Sequence, residues 1–155
     1  MEILPEPLSM TAFAPFGVVM DTPRAFERVY FDAALDNNRA DAQPSLSLWR
    51  LKPLGAKILD VKVLERHEFS SQTFLPLEVQ RYLIIVAPPG NEPDQSRLRA
   101  FVARGDQGIT YGAGVWHHGM TVLDGPAAFA VFMWRDGSAG DEQFFDIEPA
   151  VRLQL

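Results

Sequence analysis

Residues 57–67, with the sequence KILDVKVLERH, decide the fold class, because apolar and polar side chains alternate along them with the period of two of a β-strand. One face of this predicted strand carries Leu59, Val61, Val63, Glu65 and His67. The opposite face carries Asp60, Lys62 and Arg66, together with Ile58 and Leu64. The run of aliphatic residues on the first face predicts that this face points into the protein.

Glu65 and His67 occupy alternate positions on this inward face. A carboxylate and an imidazole are costly to bury unless they are paired, hydrated or bound to a ligand. The periodicity leaves two interpretations open, a buried pair that its neighbours satisfy or a functional site. Gln72, at the start of the next predicted strand, can reach the same space across a turn.

Similar short apolar runs follow one another along the chain, separated by many of its 12 prolines and 11 glycines. They predict strands at residues 45–51, 72–77, 81–87, 98–104, 114–123 and 127–135, with turns at 88–91, 105–108 and 124–126. Residues 8–13 predict one helical turn capped by Ser9 or Thr11, and residues 25–35 could form a short helix or a strand. The pattern predicts an all-β fold, a sandwich or a jelly-roll barrel with a pocket at its mouth.

The composition favours a single acidic domain over residues 1–155, with 14 basic and 20 acidic side chains and a net charge of −6. The chain has no cysteine, which excludes disulfides, thiolate-bound metals and a cysteine nucleophile. Its basic residues are scattered, which argues against a nucleic-acid partner. No segment is apolar enough to span a membrane, and the first residues, MEILPEPLSM, lack the features of a signal peptide. We therefore expect a cytoplasmic protein with a small-molecule partner.

The chain has only three histidines, and two of them are adjacent in the segment GAGVWHH at residues 112–118. On a strand His117 and His118 point to opposite faces, so at most one of them shares a pocket with His67. Trp116 lies on the face of His118 and is interpreted as a packing residue. Glu65, His67, Gln72 and His117 together offer nitrogen and oxygen donors that suit nickel, zinc or manganese. The alternative is a hydrogen-bonded acid and base cluster that binds no metal.

Several other side chains are candidates for binding a small carboxylate. Arg50 and Arg135 carry guanidinium groups that bind carboxylates through two hydrogen bonds, and the alternation of residues 45–51 favours burial of Arg50. Tyr111 and Ser71 could donate hydrogen bonds, although serines in turns often bond to the local backbone. Gln72 could bind a polar group of the same ligand with both its donor and its acceptor.

Six segments of the chain together form a recognisable pattern: LSMTAFAPFG (8–17), SLSLWRLKP (45–53), ERHEFSSQTFLPL (65–77), VAPPG (86–90), SRLRAF (96–101) and GITYGAGVWHH (108–118). They resemble ureidoglycolate lyase, a family of the cupin superfamily formerly called ureidoglycolate hydrolase. The resemblance covers nearly the whole chain. It implies a cupin-like jelly-roll β-barrel with a few short helices, a homodimer, and a carbon–nitrogen lyase of allantoin catabolism that cleaves (S)-ureidoglycolate to glyoxylate and urea.

The chain differs from the family at Gly119, where a proline is typical, and at Trp134, where an aspartate precedes the matching arginine. A tryptophan in the pocket would change its charge and volume. Ureidoglycolate is a hemiaminal, so its cleavage needs a base, a proton donor for the leaving nitrogen and a cation for the carboxylate. Glu65 or His117 could be the base and His67 an orienting group or metal ligand. Two alternatives remain, a diverged cupin that binds a small carboxylate without turnover, and an enzyme for another 2-hydroxy or amino acid derivative.

Overall fold

The computed structural model describes residues 1–155, which form two curled β-sheets that together make a half-barrel. The strands are β1 (Glu2–Ile3), β2 (Glu6–Pro7), β3 (Gly17–Asp21), β4 (Gln43–Leu51), β5 (Ile58–Arg66), β6 (Gln72–Glu78), β7 (Arg81–Ala87), β8 (Arg99–Arg104), β9 (Gln107–Tyr111), β10 (Trp116–His117), β11 (Thr121–Val122), β12 (Ala127–Arg135) and β13 (Gln143–Gln154). Helix α1 (Met10–Phe13) has Ser9 as its N-cap, and three 3-10 turns span Asp32–Ala34, Gln95–Arg97 and Ala139–Asp141. The prediction of an all-β, cupin-like fold with few helices is confirmed.

The larger sheet has eight strands in the order β1-β13-β5-β10-β7-β8-β2, with β11 paired to β7. The smaller sheet has five strands in the order β3-β9-β6-β12-β4. Strand β7 lies near the middle of the larger sheet, and both of its faces are buried. Tyr82, Ile84 and Val86 face the core between the two sheets. The intervening residues Leu83, Ile85 and Ala87 belong to a second core with Trp116 and Val151. The uninterrupted apolar run of residues 82–87 follows from burial on both faces.

The core between the sheets is rich in aromatic rings that meet edge to face. Phe129 packs at 5.2 Å from Tyr82 and at 6.1 Å from Phe74, measured between ring centroids. Phe13 of α1 packs against Phe101 at 5.8 Å. All five side chains are almost completely buried. Such contacts join α1 to both sheets and fix the strands that carry the pocket.

The structure corrects several boundaries. The predicted strand at residues 114–123 is wrong, because only β10 and β11 pair there and Gly114 has a positive φ of 77°. Strand β9 starts inside the predicted turn at 105–108. Residues 25–35 form neither of the predicted elements apart from the turn Asp32–Ala34.

The face predicted for residues 57–67 is right at its end and wrong in its middle. Val63 is 39% exposed, whereas Leu64 is fully buried in the same core as Val61. The pairing of β5 with β13 shifts register between Asp146 and Val151, and this irregularity interrupts the simple alternation. Beyond it, Glu65 and His67 turn into the half-barrel. The longest helix has four residues, and no helix could cross a membrane.

Candidate active site

A cavity of about 450 Å³ opens between β5 of the larger sheet and three strands of the smaller one, β4, β6 and β12. The residues that line this pocket are Ser45, Ser47, Leu48, Trp49, Glu65, His67, Gln72, Phe74, Val131, Met133, Arg135, Asp141 and Glu142. Both faces of β4 are largely exposed, so the pocket is open along this edge strand. The pocket is therefore of a size for a small ligand and is reached from solvent.

Three side chains of the pocket region, Glu65, His67 and His117, bring their ligand atoms within 4.8 Å of one another. We call them the Glu–His–His cluster. Glu65 and His117 are direct cross-strand partners on β5 and β10, with Oε1 of Glu65 at 3.4 Å from Nε2 of His117. The rings of His67 and His117 are 5.4 Å apart. Strand pairing thus assembles a site from residues 52 positions apart.

The hydrogen bonds of the two histidines fix which ring nitrogen faces the pocket. Nδ1 of His67 donates to the main-chain carbonyl of Asp141 at 2.8 Å, and Nδ1 of His117 donates to the carbonyl of Val115 at 3.0 Å. A carbonyl can only accept, so each neutral ring carries its proton on Nδ1. Both Nε2 atoms are buried without a hydrogen-bond partner. Each ring therefore has a free Nε2 close to the Glu65 carboxylate.

The charge states follow from the surroundings. Burial, together with the nearby His117, lowers the pKa of His67, although the Asp141 carbonyl and Glu65 act in the opposite direction. Burial raises the pKa of Glu65, but the neighbouring His117 outweighs it, so the net direction is downward. At neutral pH the cluster therefore holds an ionised carboxylate beside a neutral His67.

Gln72 lies next to this cluster. Its side chain is 8% exposed and directs Nε2 at the sulfur of Met133 at 3.8 Å. Its Oε1 is buried without a partner. A third unpaired acceptor thus accompanies the two imidazole nitrogens.

Comparison with known proteins assigns the chain to a family. The family model for ureidoglycolate lyase matches residues 1–153. The chain belongs to the ureidoglycolate lyase family. It is 38% identical to ureidoglycolate lyase of Pseudomonas fluorescens strain Pf-5 over 151 residues, which cover 90% of this chain and 89% of that relative. The corresponding protein of Pseudomonas syringae pv. tomato is 37% identical over 152 residues, 91% and 88% of the two chains. That of Azotobacter vinelandii is 35% identical over 150 residues, 90% of each.

The sequence predicts further binding residues, and the structure places them differently. Arg135 lies at the rim of the pocket, with its side chain 57% exposed and Nε at 3.6 Å from Oδ2 of Asp141. The expected burial of Arg50 is wrong, because its side chain is 65% exposed and pairs with Glu78 on the outer face of the smaller sheet. Only Arg135 of these two is placed to contact a ligand in the pocket.

Tyr111 and Ser71 are buried but do not line the pocket. The Tyr111 ring stacks on His117 at a centroid distance of 4.2 Å and so supports a member of the Glu–His–His cluster. Ser71 exchanges hydrogen bonds with the backbone of Asp36, as turn serines commonly do. Their contacts are those of supporting residues.

The positions at which the chain departs from the ureidoglycolate lyase family lie away from the pocket lining. The expectation that Trp134 changes the pocket is wrong, because the alternation of β12 turns Met133 inward and Trp134 outward against Phe132. Gly119 has open space where a Cβ would be and does not line the pocket. His118 points away from His67 and bonds to Gly119, as its alternate position predicted.

Of the 13 lining residues, the sequence pattern indicated only Glu65, His67, Gln72 and Arg135. The other nine were missed, among them Ser47, Met133, Asp141 and Glu142. Ser47 alternates with leucines, so the sequence did group it with Ser45, but it gave no reason to turn the serines rather than the leucines inward. Asp141 carries a usable signal, since Ser138 caps a turn three residues before it. Its contact with His67 is through the main chain, which no side-chain pattern records.

Proposed function

We propose that the protein is a ureidoglycolate lyase that cleaves (S)-ureidoglycolate to glyoxylate and urea in allantoin catabolism. The observation that carries the proposal is the pair of unpartnered Nε2 atoms facing the Glu65 carboxylate in a pocket that a small molecule can enter. Membership of the ureidoglycolate lyase family supports the choice of substrate.

The reaction is an elimination in which no water is consumed. The hydroxyl group of the hemiaminal carbon loses its proton, the oxygen forms the carbonyl of glyoxylate, and the carbon–nitrogen bond breaks. The departing urea nitrogen takes up one proton, so atoms and charge balance. The site must therefore move one proton from oxygen to nitrogen and hold the substrate carboxylate.

The residues of the pocket divide these tasks. Oε1 of Glu65 faces His117, which leaves Oε2 to accept the hydroxyl proton and return it to the nitrogen. Glu65 is the most exposed member of the Glu–His–His cluster, with 22% of its side chain accessible. The Arg135 guanidinium at the rim binds the substrate carboxylate, and the Gln72 amide binds the ureido group.

A divalent ion fits the Glu–His–His cluster. Metal-ligating histidines commonly donate their second ring nitrogen to a carbonyl, which His67 and His117 both do, and their free Nε2 atoms lie with a carboxylate oxygen within 4.8 Å. We propose that His67, His117 and Glu65 hold nickel, manganese or zinc, with Oε1 of Gln72 as a fourth donor. A bound ion would act as a Lewis acid that lowers the pKa of the substrate hydroxyl.

The test combines turnover with metal analysis. Purified protein is incubated with racemic ureidoglycolate, and glyoxylate is measured before and after chelation and after addition of nickel or manganese. We expect glyoxylate to form much faster than by spontaneous breakdown. The final amount of glyoxylate should equal half of the racemic substrate, and the rate should depend on the added ion. A rate no higher than the spontaneous one under every condition would refute the proposed activity. Full activity after complete metal removal would refute the metal alone and leave the cluster as an acid and base pair.

The alternative of a carboxylate-binding protein without turnover rested on Trp134 and Gly119. Neither residue lines the pocket, so no feature of the structure favours this alternative. The alternative of another 2-hydroxy or amino acid substrate is tested by the same assay with the corresponding compounds.

We further propose that residues 1–155 act as one cytoplasmic domain that forms a homodimer. Large apolar side chains are exposed on the outer face of the smaller sheet, among them Leu46 at 72% and Leu75 at 44%, and Phe26 projects fully into solvent. Apolar surface of this extent is typical of association sites. The outer face also carries the oppositely charged Arg50 and Glu78, which suits a two-fold contact between copies.

A further inference from the structure

The orientation of His67 depends on a loop carbonyl. Its Nδ1 donates to the main-chain oxygen of Asp141, which lies in the turn Ala139–Asp141 that follows β12. No other hydrogen bond of Nδ1 is present. The carbonyl can hold the imidazole only if the turn itself is held in place, so the residues that fix the turn also determine the direction of Nε2.

The Asp141 side chain fixes this turn from within. Its carboxylate is 7% exposed and accepts hydrogen bonds from the backbone N–H groups of Asp136 at 3.0 Å and Gly137 at 2.8 Å. It also accepts a hydrogen bond from Nη2 of Arg39 at 2.8 Å. The two hydrogen bonds from the backbone hold the loop of residues 136–141 around the Asp141 side chain. The third connects this loop to Arg39, 102 positions earlier in the chain.

Arg39 joins the loop to the segment that follows β5. Its guanidinium is 14% exposed, contacts Asp136 at 2.9 Å and the carbonyl of Trp134 at 3.4 Å, and lies over the Phe69 ring at 5.5 Å. The neighbouring Asn38 donates its N–H to the Phe69 carbonyl at 2.8 Å. Arg39 is thus held against the segment of His67 and, at the same time, against the loop that binds the His67 ring.

We propose that Arg39 and Asp141 are positioning residues that hold the Asp141 carbonyl against Nδ1 of His67 and so keep a free Nε2 close to Glu65. The part of the proposal that concerns turnover rests on the proposed lyase function, whereas the part that concerns the tautomer of His67 does not. Loss of the contact would let the neutral ring move its proton to Nε2 or rotate, and either change removes an acceptor from the Glu–His–His cluster.

The test is the tautomer of His67, read from long-range proton–nitrogen spectra of the labelled full-length chain. The spectra are recorded after chelation at mildly alkaline pH. The chain has only three histidines, and the signals of His67 are assigned by their loss in His67→Gln. In the unchanged protein we expect the proton on Nδ1. In Asp141→Asn, which leaves Arg39 with Asp136 as its only carboxylate partner, we expect a mixture of the two tautomers. Arg39→Lys should give a smaller proportion of the second tautomer.

Asp124→Asn is the matched control, because Asp124 forms a separate two-hydrogen-bond ion pair with Arg81 that does not include the turn Ala139–Asp141. We expect this variant to keep the tautomer and kcat. Asp141→Asn should lower kcat about tenfold with little change in KM, in line with the effect of outer-sphere partners on metal sites.

Two results would overturn the proposal. One is an Nε2 proton on His67 in the unchanged protein. The other is an unchanged tautomer in folded Asp141→Asn or, where that variant does not fold, in Arg39→Lys. Absence of any turnover in the unchanged protein would refute the lyase function and would leave the tautomer result to decide the inference.

Discussion

The two ends of the space between the sheets are built by the same strands but are filled differently. At the closed end, Tyr82 and Phe129 meet edge to face and are fully buried, and Phe129 also packs against Phe74, which borders the pocket. At the pocket end, Gln72 lies two residues from Phe74 on β6, and Met133 lies four residues from Phe129 on β12. The polar side-chain atom at the closed end, the Tyr82 hydroxyl, donates a hydrogen bond to the Gln107 carbonyl. At the pocket end, Nε2 of His67 and Nε2 of His117 have no hydrogen-bond partner. Residues that stabilise the fold and residues that form the site therefore lie only a few positions apart on the same strands. Single substitutions should affect either the stability or the activity.

The largest expected effect is the loss of activity in His117→Ala. We expect kcat/KM to fall by more than ~10²-fold, because the substitution removes a member of the Glu–His–His cluster, and loss of an outer partner of such sites alone costs about 10- to 100-fold. Circular dichroism and a urea titration should show a folded protein.

His118→Ala serves as the control, because His118 lies outside the pocket and bonds to Gly119 and Thr121. Its direct effect on turnover should be much smaller. Equal losses in the two variants would contradict the separation of the two adjacent histidines.

The opposite result is expected at the closed end. Phe129→Ala should lower the free energy of unfolding by about 3–5 kcal/mol, which is typical of a phenylalanine removed from a packed core. Activity per folded molecule should change little. Phe144→Ala, at a residue that is 60% exposed, is the control and should cost about 0.5 kcal/mol or less. A Phe129→Ala protein of normal stability that has lost turnover would contradict the division between the two ends.

The sequence predicted the closed end better than the pocket end, for a physical reason. Residues 81–87 and 127–135 were predicted with the bounds that β7 and β12 have, because long apolar runs of this kind are buried whatever they pair with. Strand β13 was missed, since its alternation is broken where it shifts register against β5. That irregularity depends on a pairing between distant segments, which a local pattern does not contain.

At the pocket the usual direction of inference fails. The alternation of residues 45–51 was predicted to bury the face of Arg50, whereas Ser45 and Ser47 of the opposite face line the pocket and Leu46, on the face of Arg50, is exposed. On a strand that borders a polar pocket, the polar face of the alternation points inward and the apolar face points to solvent. Grouping of Glu65 with His67 survived because both alternate on one strand, while the contribution of Asp141 comes from a main-chain atom and could not be read from side-chain types.

A smaller effect is expected at the rim. Arg135→Ala should lower kcat/KM about 10- to 100-fold, mostly through KM, because a hydrogen bond to a charged group contributes about 1.5–3 kcal/mol. Arg50→Ala is the matched control, since Arg50 lies on the outer face and pairs with Glu78. Steady-state kinetics with ureidoglycolate distinguish the two. An equal rise in KM in both variants would show that Arg135 does not bind the substrate carboxylate.

A further substitution tests whether the exposed outer face is covered by a second copy. Leu46→Glu places a charge on this face opposite Phe132, its partner on β12, and should shift the protein from dimer to monomer in light scattering. Glu2→Lys changes charge at an exposed residue of β1 in the other sheet and should leave the mass unchanged. A dimer of unchanged affinity in Leu46→Glu, or a monomer in the unchanged protein, would refute association through this face.

The smallest expected effect is on the pH dependence of stability, and it arises from the buried histidines. Burial lowers the pKa of His67 and of His118 below the ordinary value of 6.5, so the unfolded chain binds more protons than the folded one as the pH falls below this value. Their contribution to stability is complete above pH 6.5 and is lost below it. The pKa of Glu65 is also lowered, from 4.5, so its contribution is lost only at a more acidic pH.

Between about pH 7 and about pH 5.5 the two histidines should therefore account for a fall in stability that Glu65 does not cause. We expect the urea midpoint of the chelated protein to drop over this interval, and to drop less in His67→Gln and in His118→Gln. The double variant should show the smallest drop, because neither glutamine takes up a proton in this pH range. If the urea midpoint of the double variant falls as much as that of the unchanged protein, other groups take up the protons that destabilise the fold. If His67→Gln reduces the fall more than His118→Gln does, burial of the histidine in the pocket contributes more to the pH dependence than burial of His118.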